Sequence, residues 1–203
     1  MAQNDAFEPA DFEGLKKVEE VAFGQFCAKR RIKINPELEI DPETSLAKGL
    51  ERLYAARDLP AFFQVLANAL PVRESVWLAC LAGARMLPAG GEQTPALQAA
   101  QAWVYKPTLE NRSAVEKIIT ESDPDDPTLL AADAAFHGIA KGLEEEVKSP
   151  PSAAPTMVFA MLMRSALKDD DPRDAEENWQ KLVGFGLNIA AGGTGQEAAN
   201  NAS

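Results

Sequence analysis

The sequence predicts an all-α protein, an irregular bundle of about nine antiparallel helices whose middle section loosely resembles a helical-repeat array. Apolar residues recur at spacings of three and four along most of the chain, which is the period of a helix with one buried face. The intervening stretches are short and rich in Pro, Gly and Asp, the residues that end helices and form turns. The alternation typical of a strand occurs only at residues 31–40, where Pro36 interrupts it.

The predicted helices follow from capping residues and prolines. The first runs from Asp11, a suitable cap, to about Arg31. Further helices are expected to open where Asp or Thr can cap the first turn and where Pro suits it. These starts are Asp41-Pro42-Glu43, Asp58-Leu59-Pro60, Pro71, Thr94-Pro95, Pro107 and Asp126-Pro127. The last two helices are predicted at about residues 155–168 and 172–191.

The same pattern predicts one main helical domain with flexible ends. We expect a flexible N-terminus over residues 1–10 and a helical domain over 11–148. Residues 149–155 form a Pro-rich connection, because Pro, Ser and Ala dominate it. A C-terminal helical pair over 156–191 is expected to pack on the same domain, and the Gly- and Asn-rich tail over 192–203 is predicted to be disordered.

Composition excludes several function classes. The net charge of −11 argues against nucleic-acid binding, because phosphates repel an acidic surface, whereas a basic protein partner is compatible with it. No apolar run reaches the length of about 18 residues that a membrane helix needs, so we expect no membrane insertion. The acidic N-terminus lacks the features of a signal peptide, and we expect a cytoplasmic protein. Cys27 and Cys80 are predicted to be reduced and buried.

The stretch ALPVRESVWLACLAGARML, residues 69–87, is predicted to be a central core helix. No charge occurs between Val76 and Ala84, and apolar residues cover nearly every side of the helix. Glu74 near its start and Arg85 near its end match the helix dipole. Arg73 lies four residues before Trp77, so its guanidinium could lie over the indole ring.

The sequence carries no recognisable catalytic, cofactor or metal motif. His137 is the single histidine, without a paired-Cys or HExxH context, and is read as a helix-interior or cap residue. The Gly-rich residues 190–197 lack the ending of a phosphate-binding loop, and no strand precedes them. The acidic runs at 144–146 and 169–171 do not have the spacing of a calcium loop.

Two features allow a partner-binding interpretation. The segment TMVFAMLMRSAL, residues 156–167, could line a groove for another chain or lie in the core, since methionine adapts to irregular partners. The candidate partner-binding residues are Met157, Met161, Trp179 and Trp103. The basic cluster Lys29–Lys33 is either a favourable charge at a helix end or a docking patch.

Several sequence blocks carry a family resemblance: residues 69–85, 96–115, 156–167 and 174–193. The first has the form LPxRExVWxAC, with Leu78 where a second Trp is usual, and the second has the form AWVxxPxxENR. Together they resemble an uncharacterised bacterial all-helical family often encoded near type VI secretion system genes. The resemblance implies a secretion accessory protein without known catalytic residues.

Three functional hypotheses follow. The first is a non-enzymatic protein-interaction module of type VI secretion, acting as an adaptor, chaperone or structural component. The alternative is an immunity or regulatory protein whose acidic surface masks a basic effector. The third is a small enzyme, which requires Arg73, Glu74 and Arg112 to meet in one cleft.

Overall fold

The computed structural model describes residues 7–169 and 171–195. Within these ranges the chain forms nine α-helices and two short 3-10 turns, Pro9–Phe12 and Pro36–Leu38, and no strand. The all-helical prediction is therefore confirmed. The helices are α1 (Phe23–Arg30), α2 (Leu46–Ala55), α3 (Leu59–Ala69), α4 (Val72–Ala84), α5 (Pro95–Tyr105), α6 (Leu109–Glu121), α7 (Leu129–His137), α8 (Ala153–Ala166) and α9 (Pro172–Ala191).

The core is built around α4 and α8. Helix α8 packs against α3, α4, α7 and α9, while α4 also contacts α5, α7 and α9. One cluster of buried apolar side chains extends from Phe12 to Ala190, so the residues on both sides of the 149–155 segment share a single core. Val76, Leu78 and Cys80 are completely buried on α4, in agreement with a central helix.

Local capping signals locate several helix starts correctly. The Asp58 carboxylate accepts a hydrogen bond from the backbone N–H of Ala61 at 3.1 Å, and α3 begins at Leu59. The Thr94 hydroxyl accepts from the N–H of Leu97 at 3.2 Å at the start of α5. Such bonds satisfy amides that the first turn leaves without a partner.

The predicted helix from Asp11 to Arg31 is wrong except for its last part, α1. Gly14 adopts a positive φ of 69°, which breaks the helical pattern. The N–H of Lys17 then donates to the carbonyl of Ala190 in α9 at 2.8 Å. In the described part of the N-terminal segment, the Phe7 ring packs against the ring of Tyr54, with 5.8 Å between the ring centres.

The helix predicted to open at Asp41 begins later, at Leu46. The Asp41 carboxylate instead accepts from the N–H of Glu43 at 2.9 Å and closes a turn. Ser45 caps α2, with its hydroxyl accepting from the N–H of Lys48. Asp and Pro favour a turn as well as a helix start, which explains the error.

Residues 192–195, at the start of the segment predicted to be disordered, form defined hydrogen bonds. Gly192 ends α9 in the left-handed conformation with φ of 104°, and the N–H of Gly193 donates to the carbonyl of Asn188 at 2.8 Å. The N–H of Gly195 donates to the Asn188 side chain at 2.7 Å. These bonds hold residues 192–195 against the end of α9, while 1–6 and 196–203 lie outside the described residues.

Cys27 and Cys80 are free and buried, as predicted. Burial raises the pKa of the Cys27 thiol to about 11 and that of the Cys80 thiol to about 12. In the described part of the chain, no helix combines the length and the apolar character that crossing a bilayer requires.

Candidate functional site: the Trp77 cleft

A surface cleft of about 670 Å³ lies where α4, α5 and the end of α9 meet. We call it the Trp77 cleft. Arg73, Glu74 and Trp77 belong to the first turns of α4 and line the cleft. Arg73 and Trp77, four residues apart, lie on one side of the helix, and Glu74 is next to Arg73 in the chain. The remaining lining residues are Lys17, Gln101, Val104, Tyr105, Ile189, Gly192, Gly193 and Thr194.

Arg73 is held by the C-terminal end of α5 and not by Trp77. Its Nε donates to the carbonyl of Val104 at 2.6 Å, and its Nη2 lies 3.5 Å from the carbonyl of Tyr105. The last carbonyls of a helix lack partners and carry partial negative charge, so they attract a guanidinium strongly. The predicted stacking of Arg73 on the Trp77 ring is therefore wrong.

Asn111 and Arg112, from the second sequence block, also donate hydrogen bonds to carbonyl groups at the ends of helices. Asn111 donates from Nδ2 to the carbonyl of Lys106 at 2.7 Å and to that of Ala102 at 3.2 Å, at the end of α5. Arg112 donates from Nε to the carbonyl of Phe136 at 2.9 Å, and its guanidinium lies 4.0 Å from the centre of the Phe136 ring. These side chains connect consecutive helices of the bundle.

Arg73, Glu74 and Arg112 consequently do not form one site. Arg73 and Glu74 line the Trp77 cleft, but Arg112 is bound to the last turn of α7. Glu74 accepts a hydrogen bond from Lys17 Nζ at 2.8 Å in a partly exposed ion pair. The charged groups of the cleft are thus engaged with other protein groups.

Trp77 lies under the segment that follows α9. Its indole Nε1 donates to the carbonyl of Thr194 at 2.7 Å, and its ring is partly buried. The Asn188 side chain holds this segment in place through the N–H of Gly195. We refer to residues 192–195 as the C-terminal strap. The Gly-rich sequence that resembled a weak phosphate loop serves here as a cover for Trp77.

Tyr105, at the rim of the cleft, is the most exposed large apolar side chain of the described residues, with 84% of its surface accessible. Trp103, two residues earlier on α5, is completely buried. The sequence offers both aromatic residues as interface anchors, and the candidate set above includes Trp103 but not Tyr105. The helical period does distinguish them, since Trp103 continues the buried face formed by Leu97 and Ala100 and Tyr105 does not.

The predicted partner-binding residues divide into two pairs. Met161 and Trp103 are completely buried, so neither side chain can contact a partner in this structure. Met157 and Trp179 are partly buried, and the Trp179 ring stacks on Phe63 at 5.4 Å. None of the four lines the Trp77 cleft. Partner binding by Met157 and Trp179 stays a prediction.

His137 lies at the last position of α7, and the basic cluster lies at the end of α1. The Nδ1 atom of His137 is 3.3 Å from the Ser149 hydroxyl. Its neighbour Asp133 has a raised pKa because the carboxyl is buried, an effect that His137 opposes. In the described ranges, no group of three or more His, Cys, Asp or Glu side chains has the arrangement of a metal site.

A family model matches residues 49–190, which is most of the chain, and it describes a family of unknown function, DUF6931. The chain belongs to the DUF6931 family. The match begins within α2 and ends within α9, so it includes every helix that forms the Trp77 cleft. Lys17 and Gly192–Thr194 of the cleft fall outside the matched DUF6931 region. No curated protein and no solved structure matches the chain.

Proposed function

We propose that this DUF6931 protein is a non-enzymatic interaction module that docks a basic protein partner through the Trp77 cleft. The observation that carries the proposal is the exposure of Tyr105, with 84% of its surface accessible, at the rim of a cleft formed partly by Trp77. Exposed aromatic side chains beside a concave surface supply much of the binding energy in protein interfaces.

Charge supports a basic partner over a second copy of the same chain. The net charge of −11 attracts a basic protein at long range and opposes self-association. The cleft itself is nearly balanced, with Lys17 and Arg73 against Glu74. We therefore propose that the acidic surface attracts the basic partner at long range and that the aromatic residues of the cleft make the direct contacts with it.

The state of the polar groups favours binding over catalysis. Arg73 is bonded to helix carbonyls and Glu74 is paired with Lys17, whereas a general acid or base must be available to a substrate. Arg112, the third group that the enzyme hypothesis requires, is bonded at the end of α7.

The biological setting in the proposal rests on the resemblance of the sequence blocks. They are similar to those of proteins often encoded near type VI secretion genes, so we propose an adaptor, chaperone or structural accessory of that system. The immunity alternative uses the same acidic surface, with a basic effector as partner. The identity of the docked protein distinguishes the two roles.

Site-specific photo-crosslinking in the native host tests the docking surface. A photoreactive phenylalanine analogue replaces Tyr105 in one variant and Leu167 in a matched control, since Leu167 is also exposed, with 58% of its surface accessible, but does not line the cleft. We expect a basic protein to crosslink at position 105 and not at 167. Equal adducts at both positions, an acidic partner, or only self-adducts would contradict the proposal.

A further inference from the structure

A second cleft, of about 390 Å³, lies on the other side of the first turn of α4 and differs chemically from the first. It lies between Lys17 and Glu19 on one side and the 137–155 segment on the other, with the α3–α4 corner along it. Arg30, at the end of α1, also lines it. We call it the Arg30 cleft. Its volume is within the range of small-molecule sites.

Most of the Arg30 cleft is apolar. Its apolar lining comes from Leu70, Pro71, Val72, Ile139, Pro150 and Pro151, together with alanines and Pro155. The Ser75 hydroxyl, which also lies here, donates to the carbonyl of Ala67 at 2.8 Å. The lining therefore favours a hydrocarbon group over a highly polar ligand such as a sugar phosphate.

Arg30 supplies an unpaired cation at this apolar surface. Its Nε is buried and has no hydrogen-bond partner among the described residues. No carboxylate in the described part of the chain forms an ion pair with Arg30, and its guanidinium lies 5.7 Å from the centre of the Phe26 ring. The rest of the Arg30 side chain is partly exposed and lines the cleft, so its guanidinium can pair with the carboxylate of a ligand.

The other charged groups leave Arg30 as the main anchor. Lys17 is paired with Glu74, and Glu19 is the one acidic side chain that lines the cleft. His137 lines it too, with Nδ1 directed to the Ser149 hydroxyl at 3.3 Å. With Lys17 paired to Glu74, Arg30 and Glu19 are the remaining charged side chains among the lining residues.

From these features we infer that the Arg30 cleft binds a small amphipathic carboxylate, whose charged group pairs with Arg30 and whose hydrocarbon chain lies on the proline-rich lining. The inference does not depend on docking at the Trp77 cleft, because the two clefts share Lys17 but neither Tyr105 nor Trp77 lines the Arg30 cleft. Under this inference, Arg30 is the residue of the basic cluster Lys29–Lys33 that binds a ligand.

Calorimetric titration of the full chain with octanoate tests the inference. Octanamide has the same chain without the charge, and acetate has the charge without the chain. We expect octanoate to bind at least about tenfold more tightly than either compound. Arg30→Gln should weaken octanoate binding by about tenfold or more, while Lys29→Gln should leave it unchanged, because Lys29 is exposed and does not line the cleft.

An NMR measurement on the wild-type protein keeps the test independent of any variant that misfolds. Nuclear Overhauser contacts should connect octanoate methylene protons with the methyl groups of Leu70, Val72 and Ile139, and not with Leu167. The inference is overturned if octanoate does not bind at millimolar concentration, if octanamide binds equally well, or if the contacts lie elsewhere. Equal losses in Arg30→Gln and Lys29→Gln would also overturn it.

Discussion

The Nε of Arg73 donates a hydrogen bond to the carbonyl oxygen of Val104 at 2.6 Å and so joins the first turn of α4 to the last turn of α5. A residue that the enzyme hypothesis requires thus completes the end of a neighbouring helix. The same holds for Asn111 and Arg112. We infer that polar residues of these blocks connect helices in the bundle and thereby shape the Trp77 cleft.

Arg73→Met should lower the free energy of unfolding by about 1 kcal/mol, because it removes the hydrogen bond that the charged guanidinium donates to α5. The carbonyls of Val104 and Tyr105 would then be bound by water instead. The exposure of the Arg73 side chain keeps the loss small. Arg52→Met is the matched control, since Arg52 is exposed, and should change stability by less than about 0.5 kcal/mol. Urea unfolding measures both, and equal effects would show that Arg73 does not stabilise the α4–α5 contact.

Sequence reasoning succeeded where the deciding contact is local. The Asp58 and Thr94 side chains each bond an amide three residues later, so the cap is visible in the sequence itself. It failed between residues 14 and 22, where local turns alternate with backbone bonds to distant parts of the chain. The carbonyl of Val21 accepts from the N–H of Leu46, and the N–H of Lys17 donates to Ala190.

The candidate site was only partly predictable for a related reason. One sequence block contains Arg73, Glu74 and Trp77. The strap that covers Trp77 lies much further along the chain, and Thr194 follows Trp77 by 117 positions. Trp103 and Tyr105 are distinguished by packing, since Gly138 leaves space for the Trp103 ring. Two residues apart on a helix, the aromatic side chains point to different sides.

Two helical glycines should respond in opposite ways to substitution by alanine. A Cβ on Gly49 in α2 would overlap the ring of Phe23, which is buried. We expect Gly49→Ala to lower stability by about 1–3 kcal/mol through overpacking. At Gly83 in α4 the nearest atom, Leu97 Cδ1, is 3.5 Å from the built Cβ, an ordinary contact.

Gly83→Ala is accordingly the matched control and should raise stability by about 0.5–1 kcal/mol, because alanine has the higher helix propensity. Thermal and urea unfolding of the two variants measure the difference. If Gly49→Ala were as stable as the wild type, the close packing of α1 and α2 at Phe23 would be disproved.

The C-terminal strap should depend on the Asn188 side chain. Its Oδ1 accepts from the N–H of Gly195 at 2.7 Å, and the strap in turn accepts from Trp77 Nε1. Asn188→Ala should therefore loosen the strap and increase the hydrogen-exchange rate of the Trp77 indole N–H by about tenfold. NMR on indole-labelled protein measures this rate.

Gln101→Ala serves as the control for the strap, since Gln101 lines the same cleft but has no hydrogen bond to the strap. We expect its Trp77 indole exchange to match that of the wild type. An unchanged rate in Asn188→Ala, or an equal increase in both variants, would indicate that Asn188 does not hold the strap over Trp77.

The Cys80 thiol should make stability depend on pH in the alkaline range. Burial raises its pKa from the ordinary value of 9.0 to about 12. Between these two values the unfolded chain releases a proton that the folded chain keeps, so the folded state loses stability as the pH rises and keeps its full contribution below pH 9.0. Wild type should lose about 3 kcal/mol by about pH 11 through this group.

Cys80→Ala removes the ionisation while it removes little volume from α4. At about pH 8 we expect the variant to be less stable than wild type, because the substitution leaves a small cavity. The difference in the free energy of unfolding should then shrink as the pH rises to about 11, since Lys and Tyr ionisation affects both proteins alike. Urea unfolding at a series of pH values gives this difference, and a gap that stays constant would mean that Cys80 ionises equally readily in the folded and unfolded chain.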